Sequence, residues 1–152
     1  MRTIALAVSF AVVAALTPAA QVATPITVYK TPTCGCCGKW VDHMRQHGFN
    51  PTVTDLPNLS PVKQSAGVPA NLQSCHTSTI GGYAIEGHVP ADVVRQLLKE
   101  KPQVAGIAVP GMPIGSPGME QPGRQDKYNV VAFGKDGTQK VYASRQHERA
   151  AG

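Results

Sequence analysis

A chain of 152 residues that is 42% hydrophobic and 15% charged suits one compact domain with a modest core. Its 15 glycines and 13 prolines speak for turns and loops rather than long helices. The net charge of +5 comes from scattered Lys and Arg, and the densest runs, Lys99 to Lys101 and Arg145 to Arg149, carry no interleaved aromatics, which describes a solvated basic surface and sets nucleic acid aside as a partner.

The chain opens with Arg2, an apolar stretch from Ile4 to Leu16, and the small-residue exit Ala19-Ala20-Gln21-Val22-Ala23. A charged start, a short apolar core and a small-residue exit read as a secretory signal peptide over residues 1–23, cleaved near 19–23. The alternative is a buried N-terminal helix. The run is shorter than the about 20 apolar residues that a membrane span needs. No later segment is apolar enough to cross a bilayer, so export, to the periplasm in a bacterial cell, is expected, with no membrane association after cleavage.

Ile26 to Lys30 is β-rich and apolar, a central strand candidate that Thr31-Pro32-Thr33 ends. Cys37, Trp40, Val41 and Met44 then recur at helical spacing up to His47-Gly48, where glycine suits a C-cap. Pro51 to Leu56 reads as a second strand and Asn58 to Ala66 as a weak helix with Pro61 in its first turn. Thr77 to Glu86 is a strand region interrupted by Gly81-Gly82. Ala91 to Lys101 is the clearest helix, with the stripe Val93, Val94, Leu97 and Leu98 and a stop at Pro102. Pro110 to Gly123 is a long Gly/Pro loop. Tyr128 to Phe133 and Gln139 to Ala143 form a hairpin, and residues 146–152 a frayed polar tail. A strand, cysteines opening a helix, a strand, a helix, then strands and a closing helix predict an α/β, thioredoxin-like domain over 24–145. It has a central mixed sheet flanked by helices and a C-terminal β-hairpin.

The chemistry concentrates in Cys34-Gly35-Cys36-Cys37, three thiols in four residues. At a helix N-terminus the macrodipole and free N–H groups favour thiolate, the form that both metal binding and disulfide exchange require. Three is one too many for a dithiol switch. In an exported protein four cysteines could also pair as two structural disulfides, but this crowding is unlike a staple. The fourth, Cys75, stands beside His76 and reaches the first three if the thioredoxin-like order holds. Met112 and Met119 flank Pro113 to Gly118 in a segment with little else apolar, as thioether ligands or as a lid over the site.

Soft sulfur donors in this number point to Cu(I), and the candidate ligands are Cys34, Cys36, Cys37, Cys75, His76, Met112 and Met119. A closed zinc site, Cys₄ or Cys₃His, would leave the methionines without a role. His43, seven residues past Cys36, is roughly 10 Å farther along the helix, too far to share one ion with Cys36; it could bind a second ion or position a partner, and reads first as a surface residue. His88 reads as a turn residue and Trp40 as a core anchor. No phosphate loop, Ser-His-Asp order or paired carboxylates support hydrolase or transferase chemistry.

Taken together, Thr31 to Cys37, Trp40 to Met44, Ser74 to Thr77, Glu86 to Pro90 and Gly111 to Glu120 resemble the CopG-type proteins, long catalogued only as a domain of unknown function. The resemblance runs from about Ile26 to Ser144. It implies a thioredoxin-like fold, a periplasmic place in copper resistance beside other copper-resistance proteins, and several copper ions in a thiolate-bridged cluster, with a change of copper's oxidation state. By position it implies Cys34, Cys36, Cys37 and Cys75 as the cysteine ligands. Two functions stay open: a copper-binding protein that sequesters or transfers Cu(I), and a thiol–disulfide oxidoreductase using Cys34 and Cys37, which would leave Cys36, Cys75 and the methionines unexplained.

Overall fold

Strand β1 (Thr24–Lys30) alternates in the way a half-covered strand must, with Ile26 and Val28 buried. The computed structural model describes residues 23–145, so the expected signal peptide, but for Ala23, and the expected tail lie outside the described residues. Helix α1 (Gly35–Gln46) follows and buries Cys37, Trp40, Val41 and Met44, spaced three, one and three apart as one helical face requires. It ends at His47, and Gly48 takes the left-handed turn (φ 79°) that glycine adopts without a Cβ penalty. Strand β2 (Phe49–Asp55) returns parallel to β1.

Helix α2 (Ser60–Ser65) and a 3-10 turn (Ala70–Leu72) lead to a hairpin of β3 (Thr77–Ile80) and β4 (Tyr83–Glu86) about Gly81-Gly82. Helix α3 (Ala91–Glu100) carries the chain across to β5 (Gly106–Ala108), parallel to β4. β6 (Tyr128–Phe133) and β7 (Gln139–Arg145) complete a seven-stranded mixed sheet of order β2-β1-β3-β4-β5-β6-β7. The β1-α1-β2 crossover beside an antiparallel β3-β4 pair is the expected thioredoxin-like arrangement, and the C-terminal hairpin extends its far edge. Strand β5 is the one strand among the described residues with no counterpart in the sequence reading. It is three residues long and built partly of Gly and Ala, which have little strand preference. Gly106 is there because a Cβ would collide with Ala84 O and the Phe133 ring.

Alternation along the strands divides the core. Ile85, Ile107, Val130 and Ala132 pack with Trp40, Val41 and Met44 of α1 and Val93, Val94 and Leu97 of α3. Their neighbours Ala84, Ala108 and Phe133 face the other way, against Val68 and Leu72. Each fully buried large side chain contributes roughly 1.5–3 kcal/mol. Trp40 does more, because its buried indole N–H donates to Val89 O at 2.9 Å and so ties α1 to the approach of α3. The pairing registers bring the end of β1, the start of β3 and the ends of β4 and β5 to one edge of the sheet. The first turn of α1 with its N-cap, and the loop that enters β3, carry every cysteine at that edge.

Candidate metal centre

Pro32 and the Thr31–Cys34 turn, closed by Cys34 N–H donating to Thr31 O at 3.2 Å, swing the chain from β1 into α1. Cys34 is therefore the N-cap, and Cys36 and Cys37 lie in the first turn. Cys34 and Cys37 are joined by a disulfide, while Cys36 and Cys75 are free thiols, both half-buried. Cys36 Sγ lies 3.5 Å from Cys34 Sγ. All four sulfurs fall within 4.8 Å of one another, so the fold does bring Cys75 to the α1 cysteines.

Two histidines stand behind Cys75. His88, fully buried on the turn after β4, donates from Nδ1 to Pro117 O at 2.8 Å. Its Nε2 is thereby the lone-pair nitrogen, and it lies 2.9 Å from Cys75 Sγ. His76 is also fully buried, with Nδ1 3.4 Å from Cys75 Sγ and Nε2 without a partner. Cys75, His76 and His88 thus form a second group of donor atoms within 4.8 Å, sharing the Cys75 sulfur with the first. Burial holds His76 well below the usual imidazole range, with the neighbouring His88 and the Lys63 cation adding to the effect. Burial lowers His88 as well, against the pull of its bond to Pro117. Both rings are therefore neutral, the form that ligates. The Cys75 thiol is pushed up to about 11, first by burial and then by Cys36, so without metal it keeps its proton. Here the expected thiolate preference, an effect of the α1 N-terminus, does not extend to the cysteine on the neighbouring loop.

The methionine loop closes one side. Gly118 (φ 87°) lies so tightly on α1 that a Cβ would be 2.7 Å from Cys36 O and 2.9 Å from Trp40 N, and its N–H donates to the Glu120 carboxylate. Met119 lines a cleft of about 340 Å³ together with Cys36, Lys39 and Glu120. Met112 is 51% exposed and next to Gly111, whose carbonyl accepts from Ser74 Oγ. A larger open groove of about 550 Å³ sits at the opposite edge of the sheet, between Gly82, Pro102 and Gly134, and offers neither cysteine nor histidine.

His43 is half-buried and does more than sit at the surface. Its Nε2 accepts the Ala91 N–H at 3.2 Å, satisfying a free donor at the start of α3. His88 is the residue that sequence reasoning undervalued. Its position two residues beyond the end of the β4 strand region was the available signal, since the edge of the sheet that holds the cysteines is where β4 ends.

The arrangement defines a thioredoxin-like protein whose Cys-x-x-Cys position has grown into a four-sulfur cluster with two buried imidazoles behind it. The sequence profile of a family described as protein of unknown function, DUF411, matches residues 72–119. Two solved structures of copper resistance protein CopG are similar at 43% identity. Form 1 has a TM-score of 0.77, with 81% of this chain and 98% of that one covered. Form 2 has a TM-score of 0.78, with 82% and 99% covered. No curated sequence matches. The chain belongs to the CopG family of copper resistance proteins, and its Cys/His cluster is one that could bind metal.

Proposed function

We propose that this protein binds Cu(I) in copper resistance, sequestering it or passing it on, through Cys34, Cys36, Cys37 and Cys75. The observation that carries this reading is the approach of all four sulfurs to within 4.8 Å. Thiolates bridge soft ions, so four can hold more than one copper, and Cys75 would join the sulfur group to His76 and His88. Met119, beside Cys36 in the open cleft, and Met112 are the thioether donors on the approach. A closed tetrahedral zinc site would use neither methionine.

Loading the full cluster requires the Cys34–Cys37 disulfide to take up two electrons and two protons from an external dithiol, giving two thiols that metal then deprotonates. Metal analysis of the reduced protein, prepared without oxygen and offered copper and zinc together, tests the reading. Several coppers per chain, lost when Cys34, Cys36 or Cys37 becomes Ser, is the expected result. One zinc or no metal overturns it.

The disulfide itself favours a second reading, thiol–disulfide oxidoreduction. Cys34 is half-buried and Cys37 fully buried, so an incoming thiolate would attack Cys34 and displace Cys37. Turnover of the metal-free protein with insulin and a dithiol would favour it. A copper-sequestering protein shows little.

Export to the periplasm belongs to the same proposal, on the pattern of residues 1–23. Among the described residues no helix is long and apolar enough to cross a membrane. Mass spectrometry of the protein from a periplasmic fraction should find a chain beginning between residues 20 and 24. Copper would then arrive from, or leave to, other periplasmic copper-resistance proteins.

A further inference from the structure

Residues Gln73 to His76, which carry Cys75 to the cluster, lie outside any helix or strand. What holds them is a side chain from β4, the strand paired with β3. Glu86, fully buried at the end of β4, accepts the Ser74 N–H at Oε1 (2.6 Å) and the Thr77 hydroxyl at Oε2 (2.7 Å). Lys63, reaching in from α2 and itself buried, donates to Oε1 at 2.6 Å and to Thr77 Oγ1 at 3.1 Å. One carboxylate thus grips the chain on both sides of Cys75-His76, and a lysine supplies its counter-charge.

We propose that Glu86 is a positioning residue for the metal centre, with Lys63 making its burial tolerable: it fixes the Ser74–Thr77 segment so that the Cys75 sulfur faces the α1 cysteines. The inference rests on the copper-binding reading for its consequence, not for its geometry. A buried ion pair is a poor device for stability alone, since desolvation costs several kcal/mol per ion and apolar residues of similar volume often serve as well. An apolar pair could not do what this carboxylate does. An ionised carboxylate accepts only, at two oxygens, and so can take donors from chain positions three residues apart. Without it the Ser74 N–H loses its acceptor. Cys75 would then depend on the Ser74 Oγ bond to Gly111 and on the Gly87 N–H donating to His76 O.

Glu86 also stands two residues before His88 on the same run of chain. One strand end therefore sets both the cysteine that joins the two donor groups and one of the imidazoles behind it. Groups of this kind, one step removed from the ligands, commonly change metal affinity 10–100-fold.

The test compares two double variants. Lys63→Met/Glu86→Gln removes the charges but keeps an oxygen for the Ser74 N–H and an amide to donate to Thr77. Lys63→Met/Glu86→Leu removes the charges and the grip together. The first is expected to bind Cu(I) within about threefold of the native protein. The second should fall roughly 10–100-fold, and its Cys75 should be alkylated about tenfold faster than in native metal-free protein, by analogy with the same loss of positioning. Equal affinity and equal alkylation in native protein and the Leu variant would overturn the inference. Should the Leu variant not fold, Thr77→Val, which loses the hydroxyl that donates to Glu86 and accepts from Lys63 but leaves the ion pair whole, carries the same test: several-fold faster Cys75 alkylation is expected, and an unchanged rate overturns it. If native protein takes up no copper, the copper reading fails while the alkylation rates still decide the positioning role.

Discussion

His88 Nε2 lies 2.9 Å from Cys75 Sγ because the other ring nitrogen is committed to Pro117 O. That bond selects the tautomer, and the tautomer leaves a lone pair aimed at the sulfur. A metal arriving at Cys75 would thus find an imidazole already neutral and oriented. His88→Ala is expected to lower Cu(I) affinity about tenfold or more, equivalent to about 1.4 kcal/mol, measured by competition with a chromophoric chelator. The Cys34–Cys37 disulfide should form as before. Unchanged affinity would remove His88 from the ligand set.

Gly118 seats the loop that supplies that carbonyl. A methyl group there meets Cys36 O and Trp40 N, backbone atoms with no room to yield, and the residue's φ of 87° is itself unfavourable for any other L side chain. Gly118→Ala should cost roughly 1–3 kcal/mol of stability and lift Pro117 away from His88. The expected signs are a lowered midpoint in urea and faster solvent exchange of the His88 ring N–H by NMR. An unaltered midpoint would show that the loop is not seated as described.

Burial lowers the pKa of His43, His76 and His88 below the usual value of 6.5, His76 furthest. A lowered folded-state pKa means that the unfolded chain takes up protons which the folded chain resists. These histidines therefore contribute stability at neutral pH that is lost as pH falls through 6.5 toward their folded values. Glu86, raised by burial against the pull of Lys63, works in the opposite sense, but nearer the carboxylate range. Calorimetry of the metal-free protein should show Tm falling between pH 7.5 and 5.5. A flat profile would mean that the histidines titrate normally. For His43 the loss has a visible structural cause, since a protonated ring can no longer accept the Ala91 N–H.

Periodicity carried most of this fold. The α1 stripe of Cys37, Trp40, Val41 and Met44 and the α3 stripe of Val93, Val94 and Leu97 are buried as their spacing requires. Gly81-Gly82 marks the β3–β4 turn. The three residues of β5 were illegible because a strand completed by Gly106 is dictated by what its neighbours leave room for, not by its own preference. At the site, the crowding of Cys34, Cys36 and Cys37 was legible from local sequence, and Cys75 only through the assumed topology. The partners of His43, His88 and Glu86 were hidden for a common reason. Each residue acts on a partner far along the chain: His43 on Ala91, His88 on Pro117 and Glu86 on Ser74. No local pattern encodes such pairings.

Cys36 separates the two functional readings most cleanly, because it belongs to the sulfur cluster but not to the disulfide. Cys36 also lines the cleft shared with Met119 and Lys39. In the disulfide form native protein has two free thiols, Cys36 and Cys75, and Cys36→Ser should have one by thiol titration. The substitution nearly preserves volume and leaves the Cys34–Cys37 exchange couple in place. If the cluster shares bridging thiolates, losing Cys36 removes bridges to more than one ion, so the number of coppers per reduced chain should fall instead of one site merely weakening. An oxidoreductase predicts the reverse: dithiol turnover close to native, with metal content irrelevant. Anaerobic Cu(I) titration followed by metal analysis reads the outcome directly. An unchanged copper count in Cys36→Ser would remove Cys36 from the bridging set and leave the disulfide pair as the chemistry to explain.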